Sequence, residues 1–486
     1  MKIDNRNLTM LMDLYELTMA NGIMDSEYND TVTYFDMFFR RVPDEGGYAI
    51  MAGIKQLIEY LDNLHFDDSD IEYLKSLNLF SEQFIDYLRT FRFTCDVWAV
   101  PEGTPIFPQE PILTVRGPVM QAMMVETMIL LTINHQSLIA TKANRIVRAA
   151  QGRPVMEFGA RRAQGADAAY YGARAAVIGG CAGTSDIKTA KDFGVKASGT
   201  MAHSWVQLFK DEYTAFRAYA EKYPDSCLLL VDTYNVLKSG IPNAIRVFDE
   251  VLKPLGKRPL GIRIDSGDIT YLSKKVRKML DDAGYPDCKI CVSNSLDEYL
   301  IRDMIFQGAC VDSFGVGERL ITASSEAVFG GVYKLAAVEK PDGEVIPKIK
   351  VSENTAKITL PGIKIPWRLF DRETGKAIAD VITLNDEKIV SGEPYEIFDP
   401  IHTWKRKTVT DFIAVKLQKQ IFKSGKCVYE SPDVSEIAAY RAEQVESLWD
   451  EVKRFEKPHT YYVDLSHKLW ELRNELLNKA TFKGEN

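Results

Sequence analysis

The 486-residue chain has no GxxxxGK[ST] loop and no complete GxGxxG turn, so neither a P-loop nor a dinucleotide fold is supported. Gly315-Val316-Gly317 lacks the full spacing. Positive charge is not in excess. The net charge is −8, which argues against bulk nucleic-acid binding because no global basic field exists. A phosphate pocket stays compatible, since it needs only a few local cations and backbone amides. Cysteine is sparse: seven residues, an odd number, are scattered in a pattern that suits reduced thiols rather than pairs. Cys288-x-x-Cys291 has no second pair at zinc-ribbon spacing, and Cys291 is expected to pack inside a strand. No apolar run is long enough for a membrane span. Val119 to Ile133 is interrupted by Gln121 and Glu126 and reads as a buried helix, with Pro118 at its first turn. The opening Met-Lys-Ile-Asp-Asn-Arg has no apolar core or cleavage site of a signal peptide, so a cytoplasmic location is expected. Internal repeats and low-complexity tracts are absent.

What the chain does have is a series of short apolar runs, each ending in a polar cluster. Val155-Met156-Glu157-Phe158 leads into Gly159-Ala160-Arg161-Arg162, and Val195-Lys196-Ala197 leads toward Gly199-Thr200-Met201-Ala202-His203-Ser204. Leu228 to Val231 ends in Asp232-Thr233-Tyr234-Asn235, and Gly261 to Ile264 in Asp265-Ser266-Gly267-Asp268. Ile290 to Val292 ends in Ser293-Asn294-Ser295, and Val311 to Phe314 in Gly315-Val316-Gly317. Helical patterns follow several of them. This is the layout of parallel strands whose C-terminal ends form an active site, as in a β/α barrel.

The rest of the chain frames that region. Residues 7–22 read as a helix and 31–39 as a strand. Residues 46–91 read as helices, 93–116 as strands, and 118–151 as a long helical region. Within the barrel, 269–283 and 296–307 read as helices, the second placing Leu300, Ile301, Met304 and Ile305 inward. Residues 335–400 are rich in Pro, Gly, Thr and Val, and 432–480 read as amphipathic helices carrying Leu448, Trp449, Val452, Phe455, then Leu465, Leu469, Leu472 and Leu476. The expected fold is α/β: an irregular open β/α barrel at 152–335, an N-terminal α/β domain at 1–151, and a segment at 336–486. That last segment returns to complete the N-terminal domain before ending in helices.

The strand-end clusters carry the chemistry. Arginine forks suit phosphate or carboxylate, and glycine-rich turns at helix N-termini present amides to phosphate. Asp265 and Asp268 suit three tasks: binding a metal-bound pyrophosphate, holding ribose hydroxyls, or stabilising a developing cation. The Asp265–Asp268 turn also suits a plain turn and helix cap. His203 suits a base or a covalent phosphoryl acceptor.

Taken as a set and in order, six motifs resemble the nicotinate phosphoribosyltransferase family. They are Asp13-Leu14-Tyr15-Glu16-Leu17-Thr18-Met19, Phe38-Phe39-Arg40-Arg41, Glu157 to Gly165, Gly199 to Ser204, Arg263 to Asp268, and Phe314 to Gly317. The resemblance implies transfer of phosphoribose from phosphoribosyl pyrophosphate to nicotinate with Mg²⁺, giving nicotinate mononucleotide and pyrophosphate. It also implies coupling to ATP hydrolysis through a phosphohistidine, and a homodimer with shared active sites. Carried onto this chain, His203 is the phosphorylated histidine, and Arg263 and Asp265 face the phosphoribosyl group. Phe158 and Tyr15 sandwich the pyridine ring, with Tyr15 from the partner subunit. Arg161 lies beside ring and phosphates. Gly315 and Gly317, with Ser293 and Asn294, hold the 5′-phosphate through backbone amides, and Arg40 makes a cross-subunit phosphate contact. No direct protein ligand to the metal is implied.

Ring choice turns on a loop. Thr184, Ser185 and Ser204 offer neutral donors to a carboxylate, and Arg161 and Arg162 offer charge. By resemblance, nicotinamide-using relatives carry an acid where this chain has Ser185, so serine favours nicotinate. One departure stands out. The usual Gly-Thr after the glycine pair is replaced by Glu318-Arg319, so Glu318 must point away from a phosphate or pair with Arg319. The rival readings are a nicotinamide or quinolinate phosphoribosyltransferase, a phosphosugar-handling barrel and a non-catalytic binding protein. The phosphosugar enzyme wants a lysine or base carboxylate at a strand end, yet Lys196 sits inside its run.

Overall fold

Short apolar runs with no polar face must be covered on both sides, which favours a parallel sheet. The computed structural model describes residues 6–482. In it, six strands run parallel in the spatial order Gly183–Thr184, Val155–Glu157, Ser313–Val316, Lys289–Ser293, Gly261–Ile264 and Leu228–Leu230. Ile262, Ile264, Ile290, Val292, Phe314 and Val316 have no solvent exposure. Each such side chain contributes about 1.5–3 kcal/mol by leaving water. The first and last strands are not bonded to each other, so the sheet is open.

The Val195–Ala197 run corrects the sequence reading. It makes only a lone parallel bridge, Ala197 to Thr184, while Gly183–Thr184 takes the edge position. Lys196 and Ala197 are exposed, so the run has too little apolar surface to hold a strand.

Ile139–Ala327 and Asp433–Ala438 form one compact unit around this sheet. Residues up to Leu138, Val328–Pro432 and the segment from Ala439 onward form the other. In that second unit a seven-stranded sheet joins N-terminal and returning chain. Val32–Phe39 lies antiparallel between Gly331–Glu339 and Leu113–Pro118, with Asp96–Ala99 and Lys419–Lys423 beyond. A four-stranded sheet there contains Lys364–Asp371 and Ala377–Leu384.

Helix limits differ from the periodicity in places. The first helix is Leu14–Met24, because the residues before Asp13 form turns. The 118–151 stretch splits into Val119–Met123 and Glu126–Ala149. The 46–91 segment opens with a short strand, Ala49–Ile50, before its three helices. Leu300 is exposed, and Glu298 takes the buried position instead, paired with Lys142 at 2.9 Å and Arg145 at 3.0 Å. In the C-terminal segment Val434–Glu446 and His467–Phe482 are helical. Leu448 and Val452 are buried from turns, and Leu465 ends the strand Val463–Leu465.

Candidate active site

Polar residues at the strand ends divide into two kinds. One kind starts helices. Asp186, Asp211, Asn235, Asp268 and Asp297 each accept a hydrogen bond from a first-turn backbone N–H. Such caps satisfy orphan backbone donors at the helix starts. Asp268, at 2.9 Å from the Tyr271 amide, is therefore a cap, and Asp265 is the acid of that turn left facing the cavity.

The second kind meets in a cavity of about 480 Å³, lined by Phe158, Arg161, Ser185, the Ala197–His203 loop, Arg263 and Asp265. Arg263 organises it. Its Nη2 donates to Asp265 Oδ1 at 2.8 Å, its Nε to Ser293 Oγ at 2.8 Å, and its Nη1 to Thr200 Oγ1 at 3.3 Å. The Ser293 hydroxyl donates in turn to Asp265 Oδ1. The guanidinium sits 5.6 Å from the centre of the Phe158 ring, within cation–π range. The ring rests on Gly315, where a Cβ would fall 2.5 Å from it, so a larger residue there would displace the ring.

His203 faces the same acid. Its Nε2 is 3.8 Å from Asp265 Oδ2, and its Nδ1 is 3.1 Å from Thr233 Oγ1. The backbone N–H of Asp265 and the Ser266 hydroxyl both donate to Asp232 Oδ2, at 2.9 and 2.6 Å, so the acid turn is pinned from behind. Asp232 Oδ1 is buried without a hydrogen-bond partner among the described residues.

A buried carboxylate braces the other end of the cavity. Glu157 has no solvent exposure. One oxygen accepts from the Gly159 amide, and the other accepts from the Thr184 hydroxyl at 2.6 Å. The Ser185 amide donates to the Glu157 carbonyl at 2.9 Å. Glu157 thus ties the turn that carries Phe158 and Arg161 to the loop that carries Ser185. Burial raises its carboxyl pKa, and the Thr184 and Gly159 donors oppose that shift. Glutamine would offer an NH₂ group to one of these two donors and leave it unsatisfied, at a cost of about 1–3 kcal/mol. The expected result for Glu157→Gln is a KM for the ring substrate raised about tenfold to a hundredfold. Steady-state kinetics checks this, with kcat and the melting temperature as the contrasting readouts.

Family models match almost end to end: the nicotinate phosphoribosyltransferase (NAPRTase) N-terminal domain over 10–134, the NAPRTase family over 154–346, and the C-terminal domain over 363–473. The chain belongs to the nicotinate phosphoribosyltransferase family. It is 44% identical to the Bacillus subtilis (strain 168) nicotinate phosphoribosyltransferase, with 98% of this chain and 96% of the relative covered. The crystal structure of human nicotinic acid phosphoribosyltransferase superposes with a TM-score of 0.83 at 27% identity, covering 96% of this chain and 100% of that one. The structure of nicotinate-nucleotide pyrophosphorylase from Pyrococcus furiosus superposes with a TM-score of 0.70 at 25% identity, covering 92% and 98%.

Of the residues expected at a nicotinate phosphoribosyltransferase site, Phe158, Arg161, Ser185, His203, Arg263 and Asp265 line the one cavity. Ser204 is exposed outside that lining. Ser293 and Gly315 pair across adjacent strands, and Ser293 holds Arg263. Asn294 and Ser295, with φ of 92° and 48°, form a strained turn beside them. A Cβ at Gly317 would fall 3.3 Å from the Phe158 carbonyl oxygen. Tyr15 and Arg40 belong to the other unit. Glu318 does not pair with Arg319. It lies 3.9 Å from Arg162 and accepts from Ser295 Oγ, while Arg319 pairs with Asp297. Thr233, Asp232 and Glu157 stood in the motifs without an assigned role, because their contacts are with residues distant in sequence. No disulfide joins the seven cysteines. Among the described residues no group of three or more metal-binding side chains occurs, and no helix is long and apolar enough to cross a membrane.

Proposed function

We propose that this chain forms nicotinate mononucleotide and pyrophosphate from nicotinate and phosphoribosyl pyrophosphate, the entry of nicotinate into NAD salvage. The observation that carries the reading is the convergence of Phe158, Arg263, Asp265 and His203 on one cavity in a chain of this family. The pyridine nitrogen attacks C1 of the ribose, the C1–O bond to pyrophosphate breaks, and pyrophosphate leaves with the electron pair. The ribose is cationic in the transition state, and the Asp265 carboxylate stabilises it. Arg263 fixes that carboxylate, and Phe158 bounds the ring. Ser185 is neutral and does not repel the nicotinate carboxylate, while Arg161 attracts it.

Magnesium fits as a metal carried by the substrate. It is commonly held by one or two carboxylates plus substrate phosphates and water. Asp265 is the carboxylate lining the cavity, and it would face a metal that arrives on the pyrophosphate without a direct protein ligand being required. When bound, it neutralises charge on the leaving pyrophosphate.

ATP coupling runs through His203. A ring nitrogen attacks the γ-phosphorus, the bond to ADP breaks, and water later hydrolyses the phosphohistidine. The active unit is a cytoplasmic homodimer with Tyr15 supplied by the partner. Supporting this, Leu11, Leu14, Tyr15 and Met19 are exposed along one short segment, and Arg40 holds a buried Nε with no hydrogen-bond partner among the described residues.

The test is product formation from phosphoribosyl pyrophosphate and Mg²⁺ with nicotinate or nicotinamide, each with and without ATP. Nicotinate turnover, faster with ATP, is expected. Preferential turnover of nicotinamide would overturn the role given to Ser185. For the shared site, a Tyr15→Ala subunit mixed with an Asp265→Asn subunit should regain activity, because one of the two sites in the heterodimer is intact. Absence of recovery in purified heterodimers would place Tyr15 outside the partner's site.

A further inference from the structure

In the unit that contains the antiparallel sheet, one sheet face carries groups that the fold itself leaves unused. Directly opposed residues in antiparallel strands project to the same side. Trp98 opposes both Thr114 and Gln420, and Arg116 opposes Tyr34. Arg116 stands two residues after Thr114, so both rows share one face. The intervening Val97 and Val115 point the other way and are fully buried. Together with Ile363, Ile365, Asn385 and Lys416, this face lines a cavity of about 430 Å³, within the range of small-molecule sites.

The unused groups define what fits. Arg116 is neutralised, since it binds Glu339 at 2.9 and 3.0 Å and reaches Asp96 at 3.4 Å. Lys364 is buried against Asp36 at 2.8 Å. Lys416 is different. It is exposed, its ammonium lies 5.1 Å from the centre of the Trp367 ring, and it meets no carboxylate among the described residues. The Trp98 indole N–H and the side-chain amides of Gln420 and Asn385 also make no hydrogen bond among the described residues. No Asp or Glu lines the cavity. It therefore offers an aromatic and aliphatic slot, two amides that can each donate and accept, and one uncompensated cation.

We propose that this cavity binds a nucleoside monophosphate, at a site separate from the His203 pocket. The base lies against Trp98 between Ile363 and Ile365, its polar edge meets Gln420 and Asn385, and the phosphate meets Lys416. Stacking on an aromatic side chain is tolerant of base identity, whereas the amides require a heteroatom-bearing edge. A single-ring carboxylate would reach the cation but would leave both amides and much of the volume unused.

The test is equilibrium dialysis with radiolabelled AMP on the full-length protein. An Arg263→Ala variant disables the His203 pocket, and one equivalent of AMP should still bind to it. Lys416→Glu and Trp98→Ala, each in that background, should weaken AMP by about tenfold or more, and ribose 5-phosphate should bind about tenfold more weakly than AMP. Lys416 is on the surface, so its substitution leaves the core untouched. The same change in the otherwise wild-type chain should leave catalytic turnover in place. No AMP bound to Arg263→Ala, or unchanged affinity after Lys416→Glu, would overturn the site. Benzoate or ribose 5-phosphate binding as tightly as AMP would overturn the nucleotide assignment.

Discussion

Asp265→Asn is expected to lower kcat about 10²–10³-fold, the range seen when one preorganised electrostatic partner of a transition state is removed. The substitution is close to isosteric. The side-chain amide that replaces the carboxylate can keep its oxygen toward Arg263 Nη2 and Ser293 Oγ, where Asp265 accepts both bonds, and the backbone N–H can stay on Asp232. What is lost is the negative charge that the proposed mechanism sets beside the ribose. The KM should behave differently. Arg263 loses its only ion-pair partner among the described residues and becomes a stronger anion attractor, so the KM for phosphoribosyl pyrophosphate should stay level or fall. A drop in kcat without a rise in KM marks an interaction made mainly in the transition state. Steady-state kinetics at saturating nicotinate separates the two terms. A loss smaller than tenfold, or one confined to KM, would remove Asp265 from the role of cation stabiliser.

The contrast with Asp268 shows what the sequence could and could not tell. Both acids lie in one four-residue turn, and both suit metal, ribose or cap chemistry by type. The structure separates them through position: Asp268 caps Ile269–Asp282, whereas Asp265 faces Arg263 and His203. The parallel strands were legible because Leu228–Leu230, Gly261–Ile264 and Lys289–Ser293 are short apolar runs with a polar stop. Gly183–Thr184 was not legible, since two residues carry no period. The same limit applies at the C-terminus. Leu448 and Val452 mimic a helical stripe but are buried from turns. The residues that touch the cavity stand in recognisable motifs, whereas the contacts that hold them do not follow from those motifs. Glu157 acts on Thr184, 27 residues away, and Thr233 on His203, 30 residues away. No local spacing encodes such contacts.

His203→Ala should abolish the enhancement of turnover by ATP while leaving ATP-independent transfer measurable. The size of the effect follows from charge. A phosphoryl group brings a charge of about −1.5 to −2. On His203 it would stand close to a carboxylate whose Oδ2 is now 3.8 Å from Nε2. Unit charges about 4 Å apart interact by about 4 kcal/mol at an effective dielectric near 20. That exceeds the roughly 1.4 kcal/mol needed for a tenfold change in affinity. The Asp265–Arg263 pair could not remain as it is. Arg263 would be drawn toward the phosphoryl group, and the sites for ribose and pyrophosphate would change together. In the proposed coupling, ATP would act by changing affinities at a transfer site whose proposed chemical groups, Asp265 and Arg263, remain in the variant. On that account His203→Ala should give the same kcat/KM with and without ATP, close to the wild-type value without ATP. It should also give no acid-labile phosphoprotein when incubated with labelled ATP. An ATP response that survives in His203→Ala would move the phosphoryl acceptor elsewhere. Loss of the ATP-independent reaction as well would make His203 part of the transfer chemistry rather than of its coupling.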